Sequence, residues 1–293
     1  MRYTTALVVA VLAALPFVVS SYVISLATGV LILGLLAMSV NLLTGVAGLP
    51  TLGQAAYFGV GAYAAVLVPA ATLQLPVAAV AGAIVAAVTG LVVVRTRGVV
   101  FLMLTLAIGE LTYSAALQWD AVTGGSDGRG APAVFPVSGA RLDGYVYLLV
   151  LAVVAALFVL VQVVVRSPFG LALSGVRDNE ARLRADGYPV QRYLLAAYTF
   201  AGGLAGAAGA LWVWAERYVS PSDLGFSVSA MALIAVVLGG LGSMWGSVAG
   251  MAVVVLVRDY VGGSFAGRGP LLLGVVFVLA VYLLPRGLAG RRA

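Results

Sequence analysis

The sequence predicts an all-α polytopic membrane protein, a helical bundle of about ten transmembrane or re-entrant segments, and three observations carry that expectation. Of 293 residues, 63% are hydrophobic and only 9% charged, where a soluble domain carries about a quarter charged residues. Apolar runs of the roughly 20 residues needed to cross a hydrocarbon core of about 30 Å recur along the whole chain. The net charge of +6 sits on connections and ends, which reads as membrane topology and not as a nucleic-acid surface. A transmembrane barrel would instead show segments of about ten residues with alternating polarity, and the long Val/Ala/Leu runs do not alternate.

Taken in order, spans are expected at 4–20, 22–43, 51–70, 76–95, 98–118, 145–165 and 192–215, with a last clear one at 269–285. The 228–257 stretch is too long for one simple crossing, and Gly239 to Gly246 holds four glycines that should break a helix, so it divides into two short segments. Whether those cross twice or fold back as a re-entrant pair, the count stays even. Positive charge marks the cytoplasmic side. Arg166, Arg177, Arg182, Arg184 and the adjoining Arg192 place the 166–191 loop there, and alternate crossings then put Arg95, Arg97 and Arg2 inside and the 119–144 loop outside. Arg286, Arg291 and Arg292 also fall inside, so both termini are expected to be cytoplasmic. Residues 1–293 form a single transmembrane domain on this reading. The 4–20 stretch also has the length of a signal peptide, but it lacks a clear A-x-A site and the next span follows at once.

Two glycine-rich breaks echo each other. Gly45 to Gly53, with Gly48 and Pro50, interrupts the second and third spans; Gly240, Gly242 and Gly246 interrupt the late pair. Paired interrupted segments can mark an inverted repeat around a translocation path. Two loops in a protein with 37 glycines is the plainer alternative.

Missing residue types exclude much chemistry. The chain has no cysteine, histidine or lysine, which removes thiol nucleophiles, disulfides, Cys/His zinc sites and a histidine base. A nucleotide-binding P-loop needs its lysine on the β- and γ-phosphates, so any dependence on ATP must come through a partner. No cofactor in this chain and no enzymatic activity of its own are expected.

Polar residues inside apolar spans are the candidate path. Glu110 lies mid-span, where an ionised carboxylate costs about 2.5 to 3.5 kcal/mol on insertion scales. Ser114 and Gln118 follow at i+4 and i+8, making one polar stripe that should face protein or water. A cavity wall or gate and a hydrogen-bonded strut are its two readings. Asn41 and Gln54 flank the first break, where they would either meet a zwitterionic substrate or satisfy the broken backbone. Gly202, Gly206 and Gly209 give the 192–215 span small-residue faces for close helix packing. Outside, Glu216, Arg217, Ser220, Pro221 and Asp223 offer a charged rim for a docking protein, or an ordinary solvated loop.

The 166–191 loop is the most informative soluble-looking stretch. From 171 to 186 it should form a short charged helix, ended by Gly187 as the C-terminal cap. Charge and periodicity leave it either a docking helix or a solvated loop. Arg166 to Gly170, Ala172, Leu173, Arg177, Asn179, Glu180, Ala185 and Gly187 resemble the cytoplasmic loop of LivM-type permeases of branched-chain amino acid ABC transporters. Three further stretches resemble the same family in the same order: Gly53 to Tyr63, Thr123 to Gly128, and Val237 to Gly246. Two departures stand out. The family commonly has His where Gln54 stands, and Arg129, Gly130, Ala131 and Pro132 replace its usual Leu-x-Gly-Ile-Pro.

That resemblance implies a permease subunit in a bacterial inner membrane, importing branched-chain or related small neutral amino acids by alternating access. Its implied partners are a second, LivH-like permease, two ABC ATPase subunits, an extracytoplasmic solute-binding protein, a small-molecule substrate and membrane lipid. Arg177, Asp178, Asn179, Glu180, Ala181 and Gly187 would then belong to the coupling helix seated on an ATPase. Urea and amide importers use related permeases and are the alternative cargo. A free-standing secondary transporter or channel, with Glu110 as an ion site, is the alternative class.

Overall fold

The computed structural model describes residues 12–13, 15–17, 19–131 and 140–261, with the isolated positions 274–275, 278, 282 and 287–289. The expected first span at 4–20 and last span at 269–285 therefore lie largely outside the described residues, as do Arg2, Arg286, Arg291 and Arg292.

Among the described residues, five helices are long and apolar enough to cross a membrane. They are α1 (Ser21–Asn41), α3 (Ala71–Val93), α4 (Gly98–Gln118), α5 (Ala140–Arg166) and α7 (Val190–Glu216). Between them lie α2 (Gln54–Leu67) and the connecting helix α6 (Pro168–Ala185); α8 (Phe226–Gly239) and α9 (Met244–Val255) follow. At about 1.5 Å per residue, the 14 residues of α2 and of α8 extend only roughly 21 Å, short of a full crossing. α2 starts at the first of the two expected glycine-rich breaks, and α8 stops at the second. The 228–257 stretch is two short helices bent by 119°.

The bundle is organised around α7 and α1, the most buried of the long helices. α7 packs along α3 and α2, and the small-residue faces read from the sequence are where the backbones meet. A Cβ on Gly209 would lie 2.0 Å from the Phe58 carbonyl oxygen, and one on Gly206 2.4 Å from that of Ala78. Buried polar side chains lock the same three helices. The Tyr57 hydroxyl is 2.7 Å from Tyr198 and 2.8 Å from Thr89. Gln74 accepts from the Trp214 indole at 2.6 Å and donates to the Val68 carbonyl at 2.9 Å. α4 is the least covered long helix, with 17% of its apolar window buried.

The two ends of the bundle differ. At one end lie the 94–97 turn, α6 and both breaks; at the other, the 119–131 connection meets the segment after α7. There Arg129 and Gly130 (β1) pair antiparallel with Tyr218 and Val219 (β2), a two-residue ribbon that the loop reading of both segments omitted. Residues 287–289 sit at the α6 end, where the Leu288 and Ala289 amides donate to the Leu238 and Gly239 carbonyls at 2.8 and 2.9 Å.

Boundaries moved where local chemistry decided them. α3 starts five residues before Pro76, because Gln74 anchors its first turn. α6 begins at Pro168, a residue suited to a first turn by its fixed φ and missing N–H. It is not one helix, however. Asn179 has φ −159° and ψ 92°, dividing it in two, and its Oδ1 accepts from the Arg182 amide at 3.0 Å to cap the second piece. The expected stop holds: Gly187 takes φ +84°, and the Tyr188 amide reaches back to the Leu183 carbonyl at 3.1 Å.

Backbone contact between α2, α3 and α7 predicts unequal glycine substitutions. Gly209→Ala should destabilise the purified protein by about 1 to 3 kcal/mol through overpacking. Gly29→Ala, with nothing among the described residues within 4 Å of the added carbon, should be neutral or gain about 0.5 to 1 kcal/mol from helix propensity. Thermal melting of both variants in detergent checks this.

Candidate functional site

The centre of the site is the meeting of the two breaks. After α1 the chain enters a wide turn over Leu42–Val46, in which the Ala47 amide reaches the Leu42 carbonyl at 3.1 Å and the Leu49 amide that of Leu43 at 2.8 Å. These long-range turns release backbone groups that a membrane interior cannot hydrate. The second break supplies the partners. Asn41, fully buried, donates from Nδ2 to the Ser243 carbonyl at 2.9 Å and to Ser247 Oγ at 2.7 Å, while its Oδ1 accepts from the Gly242 amide at 2.9 Å. Gly45 fits between them: a Cβ there would stand 2.0 Å from Asn41 Oδ1 and 2.3 Å from the Gly242 nitrogen. Gly240 and Gly242 adopt φ +103° and +82°, and Ser243 caps α9 by accepting from the Gly246 amide at 3.1 Å.

Gln54 opens α2 on the opposite side of the first break, also fully buried. Its Oε1 is 3.5 Å from Ser39 Oγ, and its Nε2 has no hydrogen-bond partner among the described residues. Around it, the Leu52 amide donates to Thr105 of α4 at 3.2 Å and the Ala55 amide to Ser229 of α8 at 3.0 Å. Gly53 rests on the Thr105 carbonyl, which a Cβ would approach to 2.6 Å. Asn41 and Gln54 are thus brought to one pair of breaks but not to one another's contacts. Pro50 is half-buried between them.

Glu110, Ser114 and Gln118 do not join this cluster. Glu110 and Gln118 lie on the outward face of α4 and Ser114 is half-buried. Glu110 makes no hydrogen bond or ion pair among the described residues. The inward face of α4 carries Phe101, Thr105, Gly109 and Ala116 instead. None of the buried polar side chains among the described residues is charged.

α6 lies across the break end of the bundle with Leu173 and Val176 turned inward and Asp178, Asn179, Ala181, Arg182 and Asp186 exposed. Glu180 is held from inside the protein. Arg97 grips it with two hydrogen bonds of 2.6 and 2.7 Å, and Arg184 adds a third at 2.6 Å. The Arg97 guanidinium, as the main cause, holds the Glu180 carboxyl below the usual carboxylate range. Arg177 points toward the first break, donating to the Gly45 carbonyl at 2.7 Å, with Asp178 at 3.2 Å. The backbone at Gly48, φ +73°, passes directly under this arginine, and a Cβ there would lie 2.6 Å from its Cγ.

At the far end, Asp223 is occupied within its own loop, accepting from the Ser220 amide at 2.9 Å. Arg217 ends α7 in the left-handed region at φ 55°, and Pro221 is buried. Sequence reading missed Gln74, Arg97, Ser229 and Ser247. Arg97 had been weighed only as a marker of sidedness, and the other three are uncharged polar residues, each with a partner far away in sequence.

Residues 22–284 match the family described as branched-chain amino acid transport system / permease component. The chain is 29% identical over 303 residues to the high-affinity branched-chain amino acid transport system permease protein LivM of Escherichia coli (strain K12), covering 93% of this chain and 71% of that protein. The LivM protein of Salmonella typhimurium gives 29% over 312 residues, with 96% and 73% covered. No solved structure gives a significant match.

The Glu180 contact carries a pH signature. Its folded-state pKa is depressed, so its contribution is fully present above the unfolded carboxylate value of about 4.3 and is lost as pH falls through the lower folded value. Glu180→Gln should melt below the parent by a constant margin from neutrality down to about pH 5, and the margin should close as pH falls further, through the depressed folded value. Melting midpoints of both proteins across that range check it.

Proposed function

The chain belongs to the family of branched-chain amino acid transport permease components, and we propose that it is the membrane-spanning permease subunit of an ATP-driven importer. On this reading it passes branched-chain or related small neutral amino acids by alternating access, with ATP hydrolysed on two separate ATPase subunits. The observation that carries the reading is α6. A charged two-part helix lies across one end of the bundle, its exposed face is free of the bundle, and its inner face is bonded to the backbone of a membrane break. An ATPase seated on Asp178, Ala181 and Arg182 would have a rigid handle on the membrane segments.

The same placement supports the other assignments of this reading. The α6 end is cytoplasmic, since the arginine-bearing 94–97 turn and α6 share it; the β1–β2 end faces the solute-binding protein, and both termini are cytoplasmic in a bacterial inner membrane. A second, LivH-like permease covers the outward face of α4, where lipid contact would leave the Glu110 carboxylate unhydrated. Substrate passes between the two permeases, with Gln54 and its orphan amide nearest the path. Gln54 stands where the family commonly has His, and this favours a urea or amide cargo as the second reading. An ion-coupled transporter would need a carboxylate enclosed in the bundle, and Glu110 is on its outside.

Reconstitution tests the proposal. Vesicles holding this chain with its ATPases, second permease and binding protein should accumulate leucine, isoleucine or valine only when ATP is supplied. Uptake on an ion gradient without the ATPases would overturn it. Glu110→Gln should lower uptake while the second permease still co-purifies; lost co-purification with unchanged uptake per assembled complex would make Glu110 a packing residue.

A further inference from the structure

We propose that Arg177 is a positioning residue that ties α6 to both helix breaks at once, so that a displacement of α6 reaches the two breaks as one movement. The inference rests on the importer reading, and it assigns Arg177 a role inside the permease in place of contact with the ATPase.

The argument starts from one carbonyl. In the wide turn after α1, a fifth-residue bond to the Gly45 carbonyl would have to come from residue 50, which is proline and has no N–H. The alternative donor one residue earlier, the Leu49 amide, is already spent on the Leu43 carbonyl at 2.8 Å. Gly45 is therefore left with an acceptor that the broken helix cannot satisfy, and Arg177 Nη1 fills it at 2.7 Å. A charge-assisted bond to a buried carbonyl is strong and directional. The local sequence makes room for it, because only a residue without a Cβ leaves space for the Arg177 stem at Gly48.

From Gly45 the connection continues without a gap. Gly45 is wedged against Asn41 Oδ1 and the Gly242 amide, and Asn41 holds Gly242, Ser243 and Ser247 by three hydrogen bonds of 2.7 to 2.9 Å. α6 itself has two separate anchors. Glu180, beyond the Asn179 break, is gripped by Arg97 of the 94–97 turn, while Arg177, before the break, reaches the membrane. The Asn179 joint thus lies between a fixing point on α3 and α4 and a fixing point on the paired breaks, and rotation about it changes the position of one relative to the other.

The test uses the complete complex in vesicles, with Arg177→Gln and Arg177→Lys. The expected result for Arg177→Gln is normal co-purification with the ATPases, ATP hydrolysis within twofold of the parent, and at least a tenfold fall in substrate moved per ATP. Arg177→Lys, which restores a single charged donor, should recover part of that ratio. An unchanged ratio in Arg177→Gln overturns the proposal, and so does loss of ATPase association, which would make Arg177 a docking residue. Because the chain has no cysteine, Leu241→Cys places a single thiol on the exposed tip of the second break. Its labelling rate should change at least threefold between nucleotide-free and ATP-bound complex, and the change should vanish when Arg177→Gln is added. Persistence of the change in that double variant overturns the proposal even if Arg177→Gln transports poorly for reasons of stability. Absence of ATP-driven uptake in the parent would sink the importer reading and this inference together, whereas parent uptake with an unaffected Arg177→Gln sinks this inference alone.

Discussion

The amide of Asn41 is the interaction on which the rest of this structure depends. A helix interrupted inside a membrane exposes N–H and C=O groups to a medium that offers no water, at a cost of several kcal/mol for each group left alone. One interruption would need a cavity or a partner subunit to satisfy it. Here two interruptions face each other, and one side chain with two donor hydrogens and an acceptor serves the Gly242 amide, the Ser243 carbonyl and the Ser247 hydroxyl together. Ser229 returns the favour from α8, accepting the Ala55 amide at the start of α2. Each break supplies partners to the other, and the two halves of the chain are held in register through them.

That reciprocity explains what could and could not be read from the sequence. Hydropathy located the long spans within a few residues, since lipid imposes length and apolarity on each helix independently. The breaks were legible for the same local reason, as glycines clustered where a helix would otherwise continue. The partner of Asn41 was not, because it stands some 200 residues away and no local pattern encodes it. Glu110 taught the opposite lesson. The rule that a mid-membrane carboxylate avoids lipid does not name the side from which the cover comes, and on this chain Glu110 is exposed. The division of α6 at Asn179 was invisible too, since a residue able to cap a helix from its side chain can also sit on its surface without doing so.

Packing and polarity divide the labour. α7 meets α2 and α3 backbone to backbone at Gly206 and Gly209, an arrangement in which no side chain can rearrange and the three helices act as one body. The breaks, α6 and the 94–97 turn are joined instead by hydrogen bonds and an ion pair. The most charged segment and the most broken segments share one end of the bundle, so the groups best able to change partners are gathered where a partner protein can reach them.

The hydroxyls of Tyr57, Tyr198 and Thr89 show how far such bonding is determined. Thr89 has a single proton, and it lies 2.8 Å from the Val85 carbonyl, an atom that can only accept. Thr89 must therefore receive the proton of Tyr57, and Tyr57, having none left, must receive that of Tyr198. The row of three has one direction, from α7 through α2 to α3. Removing the oxygen of Tyr198 shortens it at its head and leaves every remaining proton placed. Removing that of Tyr57 strands the Tyr198 proton without an acceptor and costs Thr89 its donor, so two tyrosines of equal burial carry unequal consequences.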